Sequence, residues 1–389
     1  MTTTYPGTID TFTNPASTDT LASVDHAAQH DNINDAVKAV ETTLGTNPQG
    51  SFSTVAARVA SAESLTRIAG KNAIINGDFK VWQRGTTFTP AILTVVYTAD
   101  RFSCNRDGTG ATVTVSQQAF TPGTAPVAGY EAPYFYRYAQ TVAGSGGTYT
   151  NVCSQRIEDV RTYAGQTITM SFWAKADSAR TLQVQARQSF GSGGSADNAV
   201  VANTFTLSTS WTRYSVSLTL ASISGKTIGT GSWFGIEMYG GTNTTQTFDI
   251  WGVQVEPGTV ATGFSTATGT LQGELAACQR YCQSLNVLNP NGVSGGFLAM
   301  GAGIGPSSGT EFAIPLKVNM RAVPSSVTYN SISVSNGYTT NTAATITISN
   351  HSTSDTISLS GGVAGTLGAV YWLATSAISN AYILWSAEL

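Results

Sequence analysis

Flat aromatic rings set near amide, carboxylate or guanidinium groups are the residues of this 389-residue chain best suited to chemistry. A sugar stacks its C–H face on such a ring, while Asp, Asn, Gln or Arg beside it hydrogen-bonds the hydroxyls. The middle of the chain supplies Trp82, Tyr97, Trp173, Trp211, Trp233, Tyr239 and Trp251, and the C-terminal part supplies Tyr329, Tyr338, Tyr371, Trp372, Tyr382 and Trp385. Most aromatic rings are interior, so local context selects the candidates. Tyr338 lies in the polar, Gly-containing loop SNGYTTN, where packing has little to offer it, and Tyr239 sits beside Gly240-Gly241. These two are the candidate ligand-binding residues.

Other chemistries find less support. HExxH, Walker and CxxC patterns are absent, and three histidines leave few candidates for a Ser-His-Asp triad. A glycosidase needs two carboxylates across a cleft. Glu131, Glu158, Asp159, Glu237 and Glu256 exist, but the sequence does not pair them, and Glu158-Asp159 near Arg156 and Arg161 reads as a solvated charge cluster. His26 and His30, four apart, share a helix face, and three copies around an axis could hold a metal; such residues are more often seam or surface groups. His351 stands alone in a Ser/Thr-rich turn. Cys104 and Cys153 lie in strand-like surroundings. Cys278 and Cys282 sit one turn apart on an expected helix, where a bridge would be strained. All four read as free, mostly buried thiols. The expectation is therefore no catalytic residue, no metal, no cofactor and no enzyme.

Charged residues make up only 11% of the chain, against roughly 25% in ordinary soluble domains. With 40 glycines and abundant Ser and Thr, this composition suits short strands joined by tight turns and a surface solvated by hydroxyls and amides. A net charge of −3 gives no attraction to nucleic acid or anionic lipid. No run of 18 apolar residues suggests membrane insertion, and the first residues lack the basic and apolar regions of a secretory signal.

The elements that would position these residues are strands, preceded by helix. Residues 1–17 are Thr-rich and read either as a disordered tail or as an arm that orders against a partner. Ser23 caps a helix expected from Val24 to Leu44 and stopped by Gly45. Ile33, Val37, Val40 and Leu44 form a narrow heptad-like stripe. Asn47-Pro48 turns the chain into a second helical stretch with Val55, Val59, Ala62 and Leu65 on one face. Stripes this narrow call for another copy of the chain in a short parallel bundle, or for a hairpin packed on its own β-domain.

Asn72–Gly85 and Phe248–Phe264 each contain an alternating run and a turn, at Asn76-Gly77 and Pro257-Gly258. They read as the first and last strands of a sandwich, meeting where it closes. SFWAKAD, WTRYSVSLTL and WFGIEMYGG alternate between them, as in a jelly roll. Leu271–Leu285 reads as a connector helix, and strands return to Leu389. No internal repeat is visible. The expected fold is mainly β: an N-terminal arm and helical oligomerisation segment (residues 1–71), a central jelly-roll-like β-sandwich (72–270), a connector helix (271–285) and a C-terminal β-sandwich tip (286–389).

NAIINGDFKVWQRG with TADRF, the closing VQVEPGTVATGF with LAACQRYCQSL, the FAIPLKVNMRAVP segment and VDHAAQHDNINDAVKAVETTLG together resemble pieces of tail-fibre and receptor-binding proteins of tailed bacteriophages, in their order along the chain. The resemblance implies a homotrimeric virion fibre. It would join other virion proteins through its N-terminus and bind a host-surface glycan or protein. Two alternatives stay open. One is a purely structural virion appendage. The other is a polysaccharide-degrading tail spike, although such enzymes are usually long β-helices with a short repeat. The middle domain also resembles jelly-roll carbohydrate-binding modules. In those, an acidic residue after the opening Asn-Gly often helps hold a structural calcium. Asp78 follows Asn76-Gly77 here and Asp249 lies in the closing segment, but Lys80 stands where such modules often have Glu.

Overall fold

The computed structural model describes residues 26–56, 58–59, 70–127, 130–286, 297–305, 309–324, 326–335, 340–342, 345–349, 352–361, 369–375 and 382–389. The chain divides into two compact units, residues 1–66 and 67–389. In the first, helix α1 (His26–Leu44) ends at Gly45, whose N–H donates to the Glu41 carbonyl at 2.8 Å. The expected cap Ser23 lies outside the described residues, as do residues 1–17. Ile33, Val37, Val40 and Leu44 are each at least 38% exposed, so the stripe has no partner among the described residues. Of the second helical stretch, residues 55–56 and 58–59 are described and helical, whereas Ala62 and Leu65 lie outside the described residues.

In the second unit, twelve strands form two six-stranded antiparallel sheets. They are β1 (Thr87–Phe88), β2 (Val96–Tyr97), β3 (Phe102–Cys104), β4 (Thr112–Ala119), β5 (Tyr134–Val142), β6 (Tyr149–Glu158), β7 (Thr167–Ala176), β8 (Arg180–Ser189), β9 (Asn198–Leu207), β10 (Thr212–Thr219), β11 (Trp233–Gly241) and β12 (Gln246–Pro257). One sheet runs β1-β4-β5-β12-β7-β10 and the other β2-β3-β6-β11-β8-β9. Neighbours distant in sequence mark the crossovers of a jelly roll. Between the sheets lies one core, with Phe102, Tyr136, Phe172, Phe234, Ile236, Phe248 and Ile250 at its centre.

β12 departs from simple alternation for a local reason. Phe248 and Ile250 enter the core, and so do Val253 and Val255, one residue out of phase. The register shifts between Trp251 and Gln254, and Gly252 takes φ +66° there. This bulge returns Val253 and Val255 to the core, while Trp251, outward by alternation with Ile250, packs into a second cluster with Phe120, Phe135, Trp173 and Phe264. Aromatic side chains thus cover part of the first sheet's outer face.

Asn72–Gly85 is not a strand, which corrects the expectation. It is a buried irregular segment held by side chains. Asn72 donates to the carbonyls of Val253 (3.1 Å) and Ser265 (2.9 Å) and accepts from the amides of Ile74 (2.9 Å) and Val255 (3.0 Å). The segment does meet β12, through these bonds and two isolated backbone ones, Ala73 N–H to the Val255 carbonyl and Val253 N–H to the Gly77 carbonyl, each at 2.9 Å, in place of a ladder. Gly77 is required by close approach: a Cβ there would stand 2.2 Å from the Val253 carbonyl oxygen.

Helix α2 (Leu271–Gln279) is capped by Thr270 and stops well short of the expected Leu285. Cys282 opens β13 (Cys282–Asn286), so Cys278 and Cys282 do not share a helix; all four cysteines are free and buried. The remaining strands are β14 (Phe297–Gly305), β15 (Gly309–Pro315), β16 (Ser326–Asn330), β17 (Ile332–Ser335), β18 (Thr340–Thr342), β19 (Ile346–Ile348), β20 (Thr356–Gly361), β21 (Val370–Thr375) and β22 (Tyr382–Ser386). They form a three-stranded sheet, β13-β22-β16, and a seven-stranded sheet, β18-β17-β21-β14-β15-β20-β19. Phe312, Leu359, Leu373, Ile383 and Trp385 pack together in one core. β13 and β22 pair from Cys282↔Ser386 to Asn286↔Tyr382, so the chain leaves and re-enters this region side by side.

The last residues return to the sandwich. Arg101, 1% exposed, places its guanidinium 3.3 Å from the centroid of the Tyr281 ring and pairs with Glu388. Arg84 Nη2 reaches Glu388 Oε1 at 3.0 Å, and the Tyr97 hydroxyl donates to the Leu389 carbonyl at 2.7 Å.

Candidate functional site

The second sheet has a polar outer face, with Glu237 and Gln185 buried at its centre and Tyr149 exposed at its edge. On β11, Phe234, Ile236 and Met238 enter the core, so Trp233, Gly235, Glu237 and Tyr239 face outward. On β8, Leu182, Val184 and Ala186 enter the core, which turns Gln183, Gln185 and Arg187 outward. Cross-strand register then aligns them in rows. Tyr239 lies between Asn151 and Gln183, Glu237 between Ser154 and Gln185, and Gly235 between Arg156 and Arg187.

Glu237 anchors the patch. Its carboxylate accepts from Arg187 Nε at 3.0 Å, from Gln185 Nε2 and from the Tyr239 hydroxyl at 2.9 Å. Burial opposes the Arg187 charge, but Glu237 outweighs it and raises the guanidinium above its ordinary pKa. Burial, with Glu237 adding to it, pushes the Tyr239 phenol up to about 12. Tyr239 therefore stays a neutral donor, its ring held half-buried. Tyr149, 48% exposed, meets it edge-on with ring centroids 6.4 Å apart. The Arg156 guanidinium lies 4.6 Å from the Trp233 ring centroid and bounds the patch on the side where Leu389 covers the sheet. The result is an exposed ring beside fixed amide, carboxylate and guanidinium groups, the equipment for binding a neutral polyhydroxylated ligand.

Of the two candidate residues read from the sequence, Tyr239 lies in this patch, while Tyr338 lies outside the described residues. Tyr149, Gln183, Gln185 and Arg187 were not singled out. The alternation in LQVQAR carried the signal for three of them, because it puts Gln, Gln and Arg on one face. The other carboxylates are dispersed. Glu256 is buried with Lys71 at 3.3 Å, Glu158 pairs with Arg280 at 3.1 Å and Asp159 with Arg161 at 3.1 Å. The expected solvated cluster holds for Asp159 and Arg161, an exposed pair, whereas Glu158 pairs with Arg280 and Arg156 turns to Trp233. Trp251 and Trp385 are core residues.

Asp78 and Asp249 do not form the calcium site suggested by the resemblance. Lys80 Nζ stands 3.0 Å from Asp78 Oδ2, a cation already supplied by the chain, and Asp249 is gripped by Arg137 at 2.6 and 2.8 Å. Among the described residues, no group of three or more His, Cys, Asp or Glu side chains is arranged to hold a metal. Among them, too, no helix is long and apolar enough to cross a membrane.

Residues 118–232 match the carbohydrate binding domain family. No curated protein matches the chain. Among solved structures, a family 4 carbohydrate-binding module is similar at 19% identity and a TM-score of 0.30, over 47% of this chain and 98% of that one. A xylan-binding domain from Paenibacillus barcinonensis is similar at 11% identity and a TM-score of 0.30, over 50% and 98%. Tailspike protein 4 of bacteriophage CBA120 is similar at 14% identity and a TM-score of 0.29, over 48% of this chain and 21% of that one.

Proposed function

We propose that the chain is an adhesive protein that binds glycan on the outer face of its second sheet. The observation that carries this reading is the patch itself, Tyr149 and Tyr239 beside Gln183, Gln185, Arg187 and Glu237, which overlaps the carbohydrate-binding match. Tyr149 offers its face to a sugar ring, and the amides and Arg187 bond the hydroxyls. No chemical step is required of any of them, so the role is binding and not catalysis.

The sequence resemblance extends the proposal. The chain acts as an external appendage of a tailed-phage virion, joined to other virion proteins through its N-terminus and carried in three copies through α1. The host-surface ligand is a glycan, with the C-terminal domain as a further contact. Copy number multiplies weak contacts.

The test is binding of the purified full-length protein to a glycan array and to host cells. Tyr149→Ala and Gln183→Ala are expected to fold normally and to weaken glycan binding about tenfold each, the scale of a lost stacking or hydrogen-bond contact. Wild-type protein that binds no glycan, or variants that bind as well as wild type, would overturn the reading and leave a purely structural appendage.

A further inference from the structure

An open groove of about 370 Å³ lies where the C-terminal residues meet the sandwich. Glu158, Asp159 and Arg161 line it at the end of β6, Ser232 lines it just before β11, and Arg321 and Leu389 line it from the C-terminal side. It shares no ligand-binding residue with the sheet-face patch. The turn that leads into β11 is pinned in place. Gly229 N–H donates to the Phe190 carbonyl at 2.7 Å and Thr230 N–H to the Ser192 carbonyl at 3.0 Å. A Cβ at Gly229 would stand 2.1 Å from the Ser192 carbonyl oxygen, so the two turns pack backbone against backbone. This wall is formed before any ligand arrives.

The charges of the lining select the ligand. Its two acids each have a cation already. Arg280 grips Glu158 at 3.1 and 3.2 Å, and Arg161 reaches both oxygens of Asp159 at 3.1 Å. Arg156 and Tyr97 take the Leu389 carbonyl oxygen, each at 2.7 Å. Arg321 is the cation left over. Its Nε donates to the Ala387 carbonyl at 2.9 Å and its Nη2 to the Glu388 carbonyl at 3.0 Å, both uncharged acceptors. Among the described residues it has no carboxylate partner, and its Nη1 makes no hydrogen bond yet is not sealed from solvent. Burial opposes the Glu158 charge, but the Tyr281 hydroxyl, Arg280 and Arg321 together hold that carboxyl below its ordinary range. The Arg321 charge is thus felt at Glu158, which sets the guanidinium among the lining groups. A guanidinium fixed at two nitrogens presents the third as a preset donor to an anion. Ser232 adds a second donor: its Oγ accepts from Val160 N–H at 3.4 Å, and its proton has no acceptor among the described residues. One surplus positive charge matches a monoanion. Pockets for small organic ligands measure roughly 300–1,000 Å³, so the groove has room for a sugar ring around that anion.

We infer that this groove binds one acidic monosaccharide unit, a uronic or sialic acid, with Arg321 Nη1 donating to its carboxylate and the Ser232 hydroxyl donating to a sugar oxygen. It is independent of the sheet-face site, whose ligand is neutral.

The experiment uses the full-length protein and follows binding of glucuronate, galacturonate and N-acetylneuraminate by saturation-transfer NMR and titration calorimetry, with methyl glucoside and inorganic phosphate for comparison. At least one sugar acid should bind saturably in the millimolar range, more tightly than methyl glucoside or phosphate, and more weakly as sodium chloride is raised. Tyr149→Ala should leave that binding intact, which separates this site from the sheet face. Arg321→Gln should weaken it about tenfold, the scale of a lost charge-assisted hydrogen bond. Arg161→Glu, at an exposed side chain, should weaken it as well by setting a like charge at the groove. Melting temperatures show that each variant folds. Failure of every sugar acid to saturate, equal binding of methyl glucoside, phosphate bound as tightly as the sugar acids (an adventitious ion only), or full binding by both variants would overturn the assignment. If Arg321→Gln does not fold, because it also ties Ala387 and Glu388, Arg161→Glu alone decides.

Discussion

Asn72 does with one side chain what a strand would do with several residues. Its two donors and its acceptor oxygen all serve backbone groups from three parts of the chain. Asn72→Ala orphans two buried amides and two buried carbonyls, each worth about 1–3 kcal/mol when left unpaired. Unfolding free energy measured in urea should fall by about 3 kcal/mol or more; a variant as stable as wild type would show that the segment is held otherwise. The candidate site was only partly legible at this scale. Tyr239 stood out because glycines beside it leave a ring little to pack against. Tyr149 did not, because its value comes from lying diagonally across the strand pair from Tyr239, opposite Gly241, and register is not written in either strand alone.

At the scale of elements, long runs of alternation were readable and irregular segments were not. The alternating strands of the sandwich followed their hydrophobic period. Asn72–Gly85 mimics that period, yet its polar residues point inward to bond backbone. The end of α2 was misplaced because RYCQSLN satisfies a helical and a strand pattern equally, and pairing with β22 decides between them. α1 carries a prediction of its own. Its stripe is exposed in the single chain, and a self-associating helix buries such a seam. Val37→Asp is expected to reduce the full-length protein from an oligomer to a monomer by light scattering, with the β-sheet circular dichroism unchanged. An oligomer that survives the charge would remove α1 from that role.

For the molecule as a whole, buried proton-bearing groups set the response to alkali. Burial raises the Cys104 thiol from 9.0 to about 12, and the Tyr239 and Tyr281 phenols from 10.0 to about 12. The folded state keeps protons that the unfolded chain gives up, so their stabilisation is complete below pH 9 and is lost as the pH rises toward 12. Denaturation free energies should be flat near neutrality and fall steadily across that interval; a flat or rising profile would contradict it. The paired strands β13 and β22 have a different consequence. Because Asn286 and Tyr382 face each other in register, the intervening chain begins and ends at one paired neck, to which β16 and Arg321 also fasten it, while Glu388 and Leu389 stay fastened to the sandwich. Loop-closure entropy grows only slowly with the length of chain hung from such a neck. The chain between the paired ends can therefore lengthen at little entropic cost while β13 and β22 keep their pairing, so the two strands work as a clasp of fixed register.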